Sequence, residues 1–359
     1  MSIDRLIHDI QPHATVGSIL HGAYGDYYEQ MICLREIKRR RPDLSLVLFF
    51  ATELRRRELE IFDLSFAQAS YGADRLADVS IDRFIQFQVR DLELIQNILA
   101  KLPERVLSRI DCKTKLKPWT YLRGIFRSNP MHCNIGLSDV GKRRLPECYR
   151  DNGLTDKVFD RPTIGFLWRY RRLGGAISPR FQPSREILLH TKSQLLTHLS
   201  ETLGATIIVA GMNVQTTAEN RERTDNKFAS ERLDLPASAI YLRGLSWGLE
   251  LEIMARCSLS VVMASGFSEA LFMKAPEKVA LLDPPIMYLA KLLFNRMPLH
   301  SPFKPSNLWF YLRQPHTSTK VVRFLKRQNM LSLSRFPAIP NVPAARSPSS
   351  HVADFATQK

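Results

Sequence analysis

Apolar residues in this chain come in two patterns: short unbroken runs, and longer stretches in which they recur every three or four positions. The run at 44–50 is uninterrupted enough to be a strand buried on both faces, the signature of a parallel sheet, and the shorter apolar run at 15–20 reads as a strand as well. Between them, residues 27–41 place Tyr27, Met31, Leu34 and Ile37 on one stripe and Glu29, Arg35, Glu36 and Arg39 off it. That period predicts an amphipathic crossover helix joining the two strands. Residues 84–89 predict another strand, and 91–102 a helix with Leu92, Ile95 and Leu99 on one face. From 112 to 150 the pattern weakens, with Pro118, Trp119, Pro130, Gly136 and Pro146 set among basic residues. Short helices and loops, or an insertion, are expected there.

Residues 150–162 are polar and carry Asn152-Gly153, a turn or linker signal, after which a second alternating series begins. Strands are predicted at 163–168, 205–210, 240–242, 259–263 and 278–282, and helices at 185–203, 246–255 and 268–273. This alternation predicts an α/β chain of two Rossmann-like domains, 1–150 and 151–330, with parallel sheets facing across a cleft. Residues 331–359 are rich in Ser, Pro and Ala, including Pro337, Pro340, Pro343 and Pro348, and read as a disordered tail. Between 288 and 327, Lys320, Arg323, Lys326 and Arg327 make a basic amphipathic stretch, either a solvated helix face or a peripheral membrane contact.

At 359 residues the length suits two domains of ordinary size. The net charge of +16 points to an anionic partner: nucleic acid, anionic lipid or a phosphorylated small molecule. Three of the basic clusters, 38–41 and 55–57 on or beside helices and 142–144 on a loop, read as solvated faces, whereas Arg169, Arg171 and Arg172 follow a strand. The five cysteines (Cys33, Cys112, Cys133, Cys148 and Cys257) form no CxxC pair and have no histidine at a zinc-ligand spacing. With no secretory profile and no apolar run of membrane-spanning length, a reduced, cytoplasmic protein is expected, soluble or associated with a membrane surface. There is no Walker loop and no GxGxxG fingerprint, which removes support for an ATPase or a dinucleotide oxidoreductase. No Asp-x-Asp occurs either, so the usual way of holding a divalent ion against a sugar diphosphate is missing.

Two turns carry candidate chemistry. The first, His21-Gly22-Ala23-Tyr24-Gly25-Asp26, lies between a strand and a helix, with glycines that let the backbone approach a ligand and a carboxylate at the helix entrance. Asp26 is either the helix N-cap or a catalytic base. The second, Ser265-Gly266-Phe267-Ser268-Glu269, turns from the strand at 259–263 into a helix. It is either a plain glycine turn capped by Ser268 or a diphosphate cradle of free amides and hydroxyls. At the exit of the strand at 163–168, Trp168-Arg169-Tyr170-Arg171-Arg172 precedes Gly174-Gly175. Forked arginine contacts to phosphate suit that position, against the reading as a basic surface loop. Of the acids Glu269 and Glu277, Pro276 separates the second from the helix, which leaves Glu269 as the candidate for a ribose or sugar hydroxyl. Among nine single histidines only His21 stands beside a candidate turn.

These two turns resemble those of the two-Rossmann-domain (GT-B) glycosyltransferases, and among them the lipopolysaccharide heptosyltransferase-like family. The likeness rests on residues 19–26, followed by Leu34-Arg35-Glu36-Ile37-Lys38 and Pro42, and on the strand 259–263, Ser265-Gly266-Phe267-Ser268, then Ala275-Pro276 before the strand at 278–282. It implies that Asp26 takes the proton of the acceptor hydroxyl and that Ser265, Gly266 and Ser268 hold the donor diphosphate. Met263 and Ala264 stand where the family usually has an acidic residue, and Glu269 where a histidine is common, so the donor nucleotide is not carried over. The exit at 168–171 is similar to fucosyltransferase-like members of the same architecture, which implies a GDP-linked donor.

The resulting expectation is a metal-independent, inverting glycosyltransferase without cofactor, moving a sugar from a nucleotide-sugar donor to a glycan or glycolipid hydroxyl. Asp26 would be its base, with Arg169, Arg171, Ser265, Gly266 and Ser268 on the donor diphosphate, Glu269 on the donor ribose or sugar, and His21, Gly22 and Gly25 shaping the acceptor-side turn. The rival is a non-catalytic basic protein for anionic lipid or nucleic acid, with the aromatic and basic residues at 168–172 stacking on bases. No recognised nucleic-acid motif supports it.

Overall fold

The structure, a computed structural model, describes residues 3–22, 24–87, 100, 118–167, 189–211, 239–242, 246–262, 266–275, 278–281 and 323. The helix expected at 91–102, the tail at 331–359 and the basic stretch at 320–327, apart from an exposed Arg323, lie outside those residues.

The first half builds a four-stranded sheet from β1 (Thr15–Leu20), β2 (Ser45–Phe50), β3 (Ala69–Gly72) and β4 (Arg83–Phe84). Its order is β3-β2-β1-β4 and every pairing is parallel. The second sheet holds β5 (Thr163–Leu167), β6 (Thr206–Ala210), β7 (Ile240–Tyr241), β8 (Leu259–Val262) and β9 (Val279–Leu281), in the order β7-β6-β5-β8-β9 and again all parallel. In each sheet the first strand is internal and the chain reverses direction beside it, between β1 and β4 and between β5 and β8. Such reversals open the crevice at the carboxyl ends of the strands where α/β folds place ligands.

The helices are α1 (Ile3–Ile7), α2 (Tyr24–Arg40), α3 (Glu53–Leu59), α4 (Pro118–Ser128), α5 (Asp139–Asp151), α6 (Leu189–Leu203), α7 (Trp247–Arg256) and α8 (Gly266–Lys274). The α/β alternation follows the sequence expectation, with differences that have local causes. The segment after β2 is helical: Thr52 Oγ1 accepts from the Arg55 amide as N-cap, and Glu53 pairs with Arg56 and Arg57 one turn on. Residues 142–144, expected in a loop, lie inside α5, which Ser138 caps through the Gly141 amide and which keeps Pro146 within it. Of the strand expected at 84–89, Phe84 pairs in β4 and Phe87 forms a bridge, while 88 and 89 lie outside the described residues.

Alternation along β2 divides the core. Val47 and Phe49 join Ile19, Leu76, Ile81 and Phe84 on one side of the first sheet, while Leu46, Leu48 and Phe50 face the larger cluster on the other. That larger cluster is continuous through both halves, from Ile7 through Tyr28 and Leu34 to Leu249, Ile253 and Leu271. Helix α2 therefore lies between structures on two sides and is buried almost all round. Glu29 and Glu36, expected off the packed stripe, are buried as well, and Glu36 is held by the fork of Arg39 and by Arg40 Nε. Those guanidiniums keep its carboxyl below the ordinary range against the opposing effect of burial.

Candidate active site

Gly22, two residues past β1, has φ of 103°, a left-handed conformation that glycine adopts without steric cost and that turns the chain toward α2. His21, beside it, is buried; its Nε2 lies 3.2 Å from the Phe87 carbonyl oxygen, and its own carbonyl accepts from Gln30 Nε2 at 2.8 Å. These bonds tie the exit of β1 to the segment after β4 and to the second turn of α2. The helix begins at Tyr24, so Asp26 lies within its first turn and is not the cap. The capping alternative for Asp26 is thereby corrected: propensity suits either place, and the helix starts three residues before the expected 27. Asp26 is partly exposed.

The same correction applies to the second turn. Helix α8 starts at Gly266, so Ser268 lies inside its first turn rather than capping it; its side chain is buried, and Glu269 beside it is partly exposed. Ser265, Arg169, Arg171 and Glu277 lie outside the described residues. The strands that lead to the first three are neighbours, because β5 pairs with β8 in the register Gly165↔Ser260 and Phe166↔Val261.

The two turns meet. A Cβ placed on Gly25 would stand 2.5 Å from Gly266 Cα and 2.7 Å from the Gly266 carbonyl carbon and oxygen. Only a residue without a side chain allows that approach. The first turns of α2 and α8, one from each half, are thus in direct contact, with Asp26 next in sequence to the contact. Each helix brings the positive end of its dipole to this junction, and each carries one acid in its first turn, Asp26 and Glu269.

Aromatic side chains wall the junction. Trp247, first residue of α7, stacks on Tyr24 (centroids 5.6 Å apart, planes at 21°) and meets Phe62 and Phe267 edge-on. The Arg55 guanidinium sits 3.7 Å over the Tyr24 ring. Burial pushes the pKa of Arg55 down and that of the nearby Tyr27 hydroxyl up to about 12. Farther along, Lys274 at the end of α8 pins the halves together: its Nζ lies 2.8 Å from Glu252 Oε2 on α7 and donates to Asn134 Oδ1 and the Ile135 carbonyl. On the second sheet, Glu250 is buried at the exit of β6, where its Oε1 accepts from the Gly211 amide at 3.3 Å. Burial raises its pKa to about 8.

The sequence pattern did not single out Tyr24, Arg55, Trp247, Glu250 or Lys274. A usable signal existed for Arg55: Leu59, one turn later, is buried, so the side of α3 that carries both faces the protein. Among the described residues no group of three or more His, Cys, Asp or Glu side chains is arranged to hold a metal ion.

No protein-family model matches the chain, and no curated protein matches it in sequence. Solved structures do match in fold. The ADP-heptose lipopolysaccharide heptosyltransferase II of E. coli superimposes with a TM-score of 0.54 at 14% identity, over 89% of this chain and 99% of that one. A family 9 glycosyl transferase from Veillonella parvula superimposes with a TM-score of 0.52 at 12% identity, over 89% of this chain and 98% of that one. With its two parallel sheets, each reversing beside its first strand, the chain has the GT-B fold of the heptosyltransferase-like glycosyltransferases.

Proposed function

We propose that this protein is a metal-independent glycosyltransferase that moves a sugar from a nucleotide-sugar donor to a hydroxyl of a glycan or glycolipid acceptor. The observation that carries the reading is the contact of Gly25 with Gly266, which sets Asp26 of one half beside the anion-favouring turn of the other. In this reading Asp26 accepts the proton of the acceptor hydroxyl as its oxygen attacks the anomeric carbon. The bond from that carbon to the donor diphosphate breaks, the nucleoside diphosphate leaves, and the anomeric configuration inverts. Amides at 265–268 and the side chains of Arg169 and Arg171 take up the charge on the leaving group, and Glu269 holds a hydroxyl of the donor ribose or sugar. With no Asp-x-Asp in the chain, that electrostatic work falls to the helix ends and arginines. The lobes are assigned to 1–150 on the acceptor side and 151–330 on the donor side.

A panel of nucleotide sugars tests this by thermal shift, because a ligand that binds only the folded state raises its melting temperature. One or a few donors are expected to stabilise the protein, while an oligonucleotide does not. Asp26→Asn is expected to keep the donor-induced shift and to lose about 10²–10⁴-fold in transfer. Full transfer by the variant removes Asp26 from the chemistry, and a shift with oligonucleotide alone favours the basic-binding-protein reading.

A further inference from the structure

Trp247 opens α7 between the two turns. Its indole stacks on Tyr24, two residues before Asp26, and meets Phe267, which lies between Gly266 and Ser268, edge-on at 5.7 Å. Phe62 and Tyr28 close on the same indole from the first half, their centroids 6.2 and 6.1 Å away. A third glycine builds this seat. A Cβ on Gly248 would collide with Ile61 Cδ1 and stand 2.8 Å from Phe62 Cζ, so a residue without a side chain lets the start of α7 come this close to the first half.

The glycine contact between the turns has no side chains of its own to hold it in register. Tyr24 precedes one glycine and Phe267 follows the other, and Trp247 is a ring on which both pack. Aromatic pairs favour stacked and edge-to-face arrangements over others, so such contacts fix orientation as well as add attraction. We propose that Trp247 is a positioning residue for transfer. Packed on Tyr24 and Phe267 at once, it sets the spacing and angle of the first turns of α2 and α8, and through them the reach of Asp26 to a donor held at 265–268. It acts through the two rings and takes no part in the chemistry. Its role in transfer rests on the glycosyltransferase reading; the coupling of the two turns does not. The opposite end of α7 supplies a control, because Arg256 lies 4.6 Å over Phe159 and 5.4 Å over Tyr149, an aromatic seat for the same helix away from both turns.

The test uses the full chain and two readouts. In urea unfolding, Tyr24→Leu and Phe267→Leu are combined in a double-mutant cycle, once in the parent and once in Trp247→Leu. A coupling of about 2-fold or more in the unfolding equilibrium is expected in the parent, and additivity once the indole is gone. Donor hydrolysis, with water in place of the acceptor, is followed as nucleoside diphosphate released from ADP-heptose, GDP-fucose and UDP-glucose. Trp247→Leu is expected to lower kcat about 10-fold or more with the donor KM near the parent value, since misplaced reacting groups still bind but react slowly. Trp247→Phe, which keeps a ring in the seat, is expected to recover part of the rate, and it serves in both readouts if Trp247→Leu does not fold. Phe159→Leu is expected to lose stability and keep the parent kcat. Additivity in the parent, or a coupling that survives removal of the indole, overturns the proposal. An equal loss of kcat in Phe159→Leu overturns it as well, since Trp247 then only seats α7, and so does a raised donor KM at unchanged kcat. Failure of every nucleotide sugar to bind or be hydrolysed counts against the glycosyltransferase reading alone, because the cycle decides the coupling without turnover.

Discussion

Gly25→Ala probes the junction on which the functional reading depends. The added methyl would sit 2.5 Å from Gly266 Cα and 2.7 Å from its carbonyl carbon and oxygen. Carbon atoms at rest are about 3.5–4.0 Å apart, so the backbones must separate by roughly 1 Å. No rotamer change relieves this, because both partners are main chain. Overpacking of this kind costs about 1–3 kcal/mol, against which alanine returns up to about 1 kcal/mol of helix propensity. Gly266→Ala is a built-in control: its Cβ would meet Gly25 Cα at 3.1 Å, a contact eased by a shift of a few tenths of an ångström. Thermal and denaturant unfolding are expected to rank Gly25→Ala below Gly266→Ala, and the parent protein above Gly25→Ala. Transfer should fall further than stability, since about 1 Å of misplacement between reacting groups is enough for about 10²-fold in rate. A Gly25→Ala protein that melts and turns over like its parent would show that the two helix ends do not touch in solution, and the assignment of Asp26 would fall with them.

Three further substitutions report on the surroundings of the site. Glu250 is fully buried, and its pKa of about 8 lies above that of the unfolded chain, so the folded state binds a proton that the unfolded state has released between about pH 4.5 and 8. Stability is therefore complete below about pH 4.5 and lost as pH rises through 8, by on the order of a few kcal/mol; Glu250→Gln should match the parent near pH 5 and exceed it near pH 8 in denaturant melts. Lys274→Met leaves Glu252, Asn134 and the Ile135 carbonyl without their shared cation and should cost about 3 kcal/mol, read from urea unfolding. Tyr28→Phe removes the hydroxyl oxygen that accepts from the buried Ile135 amide at 3.1 Å and should cost about 1–3 kcal/mol by the same measurement.

Much of the architecture was legible because parallel strands buried on both faces leave unbroken apolar runs. The runs at 44–50 and 205–210 are of this kind, and both form strands, each one residue shorter than expected. The short strand β3 left no such trace, since four residues at a sheet edge take their conformation from the neighbour they pair with. Prolines misdirected the reading of 112–150: Pro118 opens α4, where its missing amide hydrogen is no loss, and Pro146 lies within α5. Charge misdirected it at Arg55, because a run of three arginines reads as solvated whereas successive residues of a helix point about 100° apart. At the site, the glycines were visible as turn residues. Their mutual contact was not, because Gly25 and Gly266 are brought together only by the packing of two separate sheets.

The displaced start of α2 changes what a neutral Asp26 would mean. A capping aspartate exchanged for asparagine would keep its hydrogen bond, so the two readings of the residue would be hard to separate by stability. Inside the first turn, Asp26 contributes to folding through its charge, opposite the positive ends of α2 and, across the glycine contact, of α8. A carboxylate near one helix N-terminus is worth about 0.3–1 kcal/mol, and the stability of Asp26→Asn should fall by no more than about that much per helix end. A general base, by contrast, is worth about 10²–10⁴-fold in rate. A loss of transfer on that scale in a protein still folded at the assay temperature therefore cannot be laid to the dipole, and a stability loss without a rate loss would reduce Asp26 to an electrostatic brace between two helices.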